Sequence, residues 1–197
     1  EQIKHKLLRE GSGPPRILIL SDYGKGTLPP ALLTELRGGE FAACRIFIDP
    51  KPESFRHYPA PELITPNRRE AERIWGARMR GREDILAAGD AIRSGCRADN
   101  VLITLGEEGM VLFEASGQVW KISTQARRVF DVTGAGDTVV AVATAAMAAG
   151  ADALHASVLA NIAAGLVVEE VGAATVGSER LKQQIRNGGD ISVRKWR

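Results

Sequence analysis

A chain of 197 residues, 44% hydrophobic and 25% charged, belongs with ordinary soluble globular proteins and is long enough for one domain with a sizeable core. Its 26 basic against 24 acidic residues leave a net charge of +2, too small to favour a nucleic-acid partner. Two cysteines, Cys44 and Cys96, suggest neither a disulfide framework nor a zinc site; with no signal-like N-terminus and no apolar run of about 18 residues, the reading is a cytoplasmic protein without a membrane partner.

Arg16 to Leu20 is a short continuous apolar run that predicts a strand buried on both faces, emptying into Ser21-Asp-Tyr-Gly24. Pro29 and Pro30 suit the first turn of a helix with its body at Ala31–Arg37, stopped by Gly38 and Gly39. Arg45–Asp49 predicts a second buried strand, closed by Pro50 and Pro52, and Leu63–Thr65 a third. Asn67 is an N-cap candidate, with Glu70 at the capping-box position, for a helix to Trp75. A further helix is expected over Arg82–Ser94. Val101–Leu105 predicts a strand, Gly106–Gly109 a tight turn, and Met110–Phe113 its hairpin partner, with another strand at Gln118–Ser123. Helices follow at Gly134–Ala149, Ala153–Glu170 and Ser178–Arg186, and 187–197 reads as a tail or linker. The alternation indicates an α/β fold, a mainly parallel sheet covered by helices on both faces, with an antiparallel edge from the hairpin.

The strongest chemical signal is Gly134-Ala135-Gly136-Asp137 ahead of an Ala/Val-rich helix. Small residues there let backbone N–H groups converge on an anion at the positive end of the helix dipole, and Asp137 stands where it can take a proton from an attacking hydroxyl. The plainer reading is an Asp that caps a helix. Lys25 and Lys51 each follow a buried strand, at the sheet end where ligands collect, and suit a phosphate; a solvated lysine is the alternative. Asp22 could orient such a lysine or touch a substrate. The basic group Arg68, Arg69, Arg73, Arg78, Arg80 and Arg82 reads mostly as a solvated helix face. His5, His57 and His155 lack metal-ligand spacing. No P-loop is present, and Gly11-Ser-Gly13 precedes its strand instead of following it, which excludes a dinucleotide fingerprint.

Asp131-Val-Thr-Gly-Ala-Gly-Asp-Thr138 resembles the C-terminal signature of the PfkB/ribokinase carbohydrate kinases. Three further motifs stand in the family's order. Asn67-Arg68-Arg69-Glu70 resembles its Asn-x-x-Glu motif, Thr104-Leu-Gly106-Glu-Glu-Gly109 its nucleotide-side turn, and Asn161-Ile-Ala-Ala-Gly165 the helix beside the adenine. The resemblance implies a ribokinase-like fold and an ATP- and Mg2+-dependent sugar kinase with Asp137 as base and Gly134, Ala135 and Gly136 as anion hole. It implies ATP-binding roles for Asn67, Arg68, Arg69, Glu70, Thr104, Gly106, Gly109 and Asn161. Asp131 and Thr133 match positions at which the family often contributes oxygens to a monovalent cation, usually K+; a turn satisfying its own backbone is the alternative. A homodimer is compatible with the resemblance.

Within the family the likeness is strongest to the kinase domain of the bacterial ADP-heptose pathway, which phosphorylates D-glycero-β-D-manno-heptose 7-phosphate at its anomeric hydroxyl. It is carried by Leu20-Ser-Asp-Tyr-Gly-Lys-Gly26, Ile48-Asp-Pro-Lys51, Leu63-Ile-Thr-Pro-Asn67 and Thr124-Gln-Ala126. Against complete members, residues 1–186 correspond to the C-terminal nucleotide-binding and catalytic part, and the N-terminal sugar-binding segment with its lid is expected to be absent. Another sugar or nucleoside acceptor, or a truncated non-catalytic nucleotide-binding module, are the competing readings.

Overall fold

The computed structural model describes residues 16–124, 131–170, 172, 174–187 and 191–197. His5, Gly11–Gly13, Gln125, Ala126, Gly188 and Gly189 lie outside the described residues. Seven strands form one sheet in chain order: β1 (Ile17–Ser21), β2 (Arg45–Asp49), β3 (Leu63–Ile64), β4 (Asn100–Thr104), β5 (Met110–Phe113), β6 (Val119–Ile122) and β7 (Val193–Lys195). β1 to β4 pair in parallel, and β4 to β7 antiparallel. Five of the seven strands, β1 to β4 and β6, therefore point the same way. The helices are α1 (Pro30–Glu35), α2 (Arg68–Trp75), α3 (Arg82–Cys96), α4 (Ala135–Ala148), α5 (Ala153–Val168) and α6 (Ser178–Arg186).

The continuous apolar run of β2 becomes a doubly covered strand because alternate side chains enter opposite cores, whereas β1, expected to be buried on both faces, buries Leu18 and Leu20 on one face and leaves Ile19 40% exposed on the other. In β2, Ile46 and Ile48 join the core formed with Leu32 and Leu33 of α1, Ala71 of α2 and Ile85, Ala88 and Ile92 of α3. Phe47 points the other way, into the core with Val139, Val140 and Ala143 of α4 and Ala156 and Ala160 of α5. Each fully buried aliphatic or aromatic side chain of this kind contributes about 1.5–3 kcal/mol. From Ala160 to Val168 every residue of α5 is buried, so this stretch lies inside the domain and has no polar face. Among the described residues, no helix is long and apolar enough to cross a membrane.

A further expectation is corrected. The C-terminal tail is not a loose end, because Val193–Lys195 adds an edge strand to β6. Trp196 packs on the first core and receives the Arg82 guanidinium over its ring, and Arg197 forms two bonds to Asp90 at 2.6 and 2.8 Å. All three strand residues are exposed, so no apolar periodicity marked them; unpaired N–H and C=O groups on the open edge of β6 recruited them instead. The antiparallel part of the sheet thus extends beyond the hairpin expected at its edge.

Candidate active site

The parallel strands end on one side of the sheet, delivering Ser21–Gly24, Asp49–Lys51, Thr65–Asn67 and the turn after Thr104 to a common rim. A parallel sheet gathers its ligand-facing loops in this way. The N-terminus of α4 meets the rim from one face.

Gly134 is the N-cap of α4, with φ of 81°, a left-handed conformation that glycine adopts without steric cost. Asp137 follows in the first turn and makes no capping bond. Its carboxylate is taken up across the rim, where Ser21 Oγ donates to Oδ1 at 3.2 Å and Tyr23 Oη to Oδ2 at 2.7 Å. This contact raises the Tyr23 phenol above its ordinary ionisation range, because the hydrogen bond to Asp137 and that residue's charge both oppose the phenolate. Val132 accepts the Ala135 N–H at 3.2 Å, while those of Gly136 and Asp137 have no acceptor among the described residues. Among the described residues outside the helix's own backbone, a Cβ on Gly136 would meet no atom within 4 Å, and free N–H groups at a helix start suit an anion.

A second set of bonds runs along the rim from β1 to α2. Asp22, buried at 4% exposure, accepts the Gly24 N–H at 2.7 Å and the Tyr58 hydroxyl at 2.7 Å. Burial works against its charge, but the bonds from Tyr58 and Gly24 outweigh it and hold the carboxyl below the usual range. Tyr58 accepts the Lys51 backbone N–H at 2.8 Å, and Lys51 Nζ lies 2.5 Å from Glu70 Oε1. Burial pulls the Lys51 ammonium down, yet the Glu70 hydrogen bond and charge leave its pKa raised. Glu70 Oε2 accepts the Asn67 N–H at 2.9 Å while Asn67 Oδ1 accepts the Glu70 N–H at 3.0 Å, closing the expected capping box. One carboxylate thus closes the helix start with one oxygen and meets the lysine with the other.

Asp49 lies among these groups. Burial first, then the Glu70 charge, push its carboxyl up to about 7 against the pull of Lys51, and Asp137 and Asp22 add repulsion. A buried carboxyl that feels three other carboxylates along one rim suits a site that receives a cation. Among the described residues, no group of three or more His, Cys, Asp or Glu side chains is arranged to hold a metal ion by itself. The donors fit magnesium, which keeps most of its waters and needs only one or two carboxylates beside phosphate oxygens.

The other sequence candidates fall into two groups. Thr104 joins the rim through a parallel bridge to Asn67, its N–H donating to the Pro66 carbonyl at 3.0 Å, and Arg68 spans from the Asn67 motif to Glu108 in the Gly106–Gly109 turn. Gly106 and Gly109 both have positive φ there. Lys25 and Arg69 are exposed and carry no described bond. Asn161 is buried at 3% exposure, with its amide committed to the Ser123 carbonyl at 2.6 Å. Asp131 Oδ1 accepts the Thr133 N–H at 2.9 Å, an interaction that lowers its pKa. The basic group is mostly a solvated face, with Arg69, Arg73, Arg78, Arg80 and Arg82 exposed, and within it Arg73 pairs with Glu53 at the surface and Arg82 with the Trp196 carbonyl.

Sequence reasoning passed over Ser21, Tyr23, Tyr58 and Asp49 as site residues. Asp49 carried the same signal as Asp22, an acid at the end of a buried strand, and Ser21 and Tyr23 flank Asp22 in the loop. Tyr58 carried none, since its role depends on the fold of Pro52–His57 beneath the rim.

The profile of the pfkB family carbohydrate kinases matches residues 17–180. The Bifunctional protein HldE of Desulfatibacillum aliphaticivorans is 40% identical over 172 residues, which cover 87% of this chain and 35% of that protein. The chain thus spans about a third of the length of the curated relatives it matches. Phosphofructokinase-2 from Escherichia coli in complex with potassium shares the fold with a TM-score of 0.81 at 19% identity, over 94% of this chain and 60% of that one. Arabidopsis thaliana ribokinase complexed with ribose and ATP gives 0.72 at 23% identity, over 86% of this chain and 55% of that one.

Proposed function

The chain belongs to the pfkB family of carbohydrate kinases, and on that premise we propose that it is the nucleotide-binding and catalytic part of an ATP-dependent kinase acting on D-glycero-β-D-manno-heptose 7-phosphate at the anomeric hydroxyl. The observation that carries the phosphoryl-transfer reading is Asp137, held by Ser21 and Tyr23 at the mouth of α4, beside two first-turn N–H groups that have no acceptor among the described residues. The heptose phosphate is supported by the sequence likeness at 40% identity to a Bifunctional protein HldE.

In this reading the acceptor oxygen forms its bond to the γ-phosphorus as the bond from that phosphorus to the β,γ-bridging oxygen breaks, with ADP leaving. Asp137 takes the acceptor proton, and the N–H groups of Gly136 and Asp137 stabilise charge on the transferring group. Asn67, Glu70, Thr104 and the Gly106–Gly109 turn line the nucleotide side. Magnesium, when bound, would neutralise phosphate oxygens and be held through its waters by Asp49 and Glu70. Lys51, paired to Glu70, would serve the metal and nucleotide phosphates, leaving exposed Lys25 as the better candidate for the sugar phosphate.

The test is ADP release by the full-length polypeptide with heptose 7-phosphate, the unphosphorylated heptose, ribose and fructose 6-phosphate. A clear preference for the heptose 7-phosphate is expected, since a remote dianion supplies binding energy that places the reacting hydroxyl. Equal use of the phosphorylated and plain heptose would reject this acceptor.

A further inference from the structure

Resting on the proposed reaction, we infer that Tyr23, together with Ser21, is a positioning residue that locks the Asp137 carboxylate in the orientation needed to accept a proton. An exposed first-turn Asp whose carboxylate has no partner is free to rotate in water about its last torsion. Here two donors from another element take one carboxylate oxygen each, at 3.2 and 2.7 Å, and fix that rotation. Each oxygen keeps acceptor capacity, so the bonds orient the group without closing it to an incoming hydroxyl.

The donors are themselves held. Asp22, between them in sequence, is buried and clamped by the Gly24 N–H and the Tyr58 hydroxyl, and Gly24 turns the chain with φ of 65°. Tyr23 is 59% exposed, so its ring is not there to fill a core; its hydroxyl meets Asp137 at 2.7 Å and the neighbouring Ser21 side chain. An exposed aromatic on a rigid turn, bonded to a carboxylate 114 positions away, suits orientation of that carboxylate better than stabilisation of the fold.

The test uses the full-length polypeptide with ATP and its sugar-phosphate acceptor. Tyr23→Phe keeps the ring and deletes only the donor. It should lower kcat about 10-fold, the order expected for losing one partly solvated bond to a charged group, with ATP affinity and Tm unchanged. In an Asp137→Asn background the same change should cost nothing further, because its effect acts through that carboxylate. Ser21→Ala should behave alike with a smaller loss. On the chain described here, tyrosine ionisation followed by ultraviolet absorbance should show one of the two tyrosines titrating lower in Asp137→Asn than in the unmodified chain. Unchanged kcat in Tyr23→Phe, an equal loss in both backgrounds, or tyrosine titration indifferent to Asp137→Asn would overturn the inference. A full-length polypeptide that transfers no phosphoryl group to any sugar overturns the proposed function instead, and the titration then decides the contact by itself.

Discussion

Replacing Asp49 with Asn should make the chain more stable at pH 8, and the gain should vanish in acid. The carboxyl is pushed from 3.8 to about 7 by burial and by Glu70, Asp137 and Asp22, with only Lys51 opposing. A shift of about 3 units corresponds to a ceiling of about 4 kcal/mol held against the folded state when the group is ionised. Relaxation and water entry trim such a figure, so about 2 kcal/mol is expected, or roughly 4–8 °C in Tm for a chain of this length. The sign follows from an acid whose folded pKa is raised. Below the unfolded value of 3.8 the group is protonated in both states and costs nothing; between 3.8 and about 7 the unfolded chain ionises first and the cost grows; above about 7 the cost is complete. The asparagine variant should therefore match the unmodified chain near pH 4 and pull ahead through neutrality to a plateau. The assay is thermal unfolding at a series of pH values with chelator present. Adding magnesium and nucleotide should narrow the gap, because bound cation relieves the repulsion only where the carboxylate remains. A variant no more stable at pH 8, or a difference that does not vary with pH, would refute the reasoning.

Asp137→Asn in the full-length polypeptide should lower turnover by roughly 100-fold or more with little change in ATP affinity, the usual size of a general-base contribution; near-normal turnover would remove its assigned role. Glu70→Gln keeps an acceptor for the Asn67 N–H but loses the charge facing Lys51, so the magnesium needed for half-maximal activity should rise by roughly 10-fold, and an unchanged titration would leave Glu70 as a capping residue alone. Gly109→Ala should cost about 3 kcal/mol or more, seen as a Tm lowered by roughly 6–12 °C, because φ is 85° and an added Cβ would lie 2.1 Å from the Ile122 carbonyl oxygen; a normal Tm would mean the hairpin can shift there.

What the amino-acid sequence determined by itself is what neighbouring residues decide between them. The apolar run at Arg45–Asp49 is a strand because alternate residues have somewhere apolar to go on both sides, and Ile17–Ser21 is a strand that buries Leu18 and Leu20 on one side alone. The Asn67–Glu70 capping box closes within four consecutive residues, and Gly134 to Asp137 opens a helix as its spacing predicted. The tertiary structure decided the rest. Asp137 could be read as a cap until its partners proved to be Ser21 and Tyr23, 116 and 114 positions away in sequence. The raised pKa of Asp49 comes from burial and then from carboxylates delivered by separate elements, and β7 pairs with the edge of β6. Hydrogen bonds and charges act through space, and only the folded sheet sets those distances.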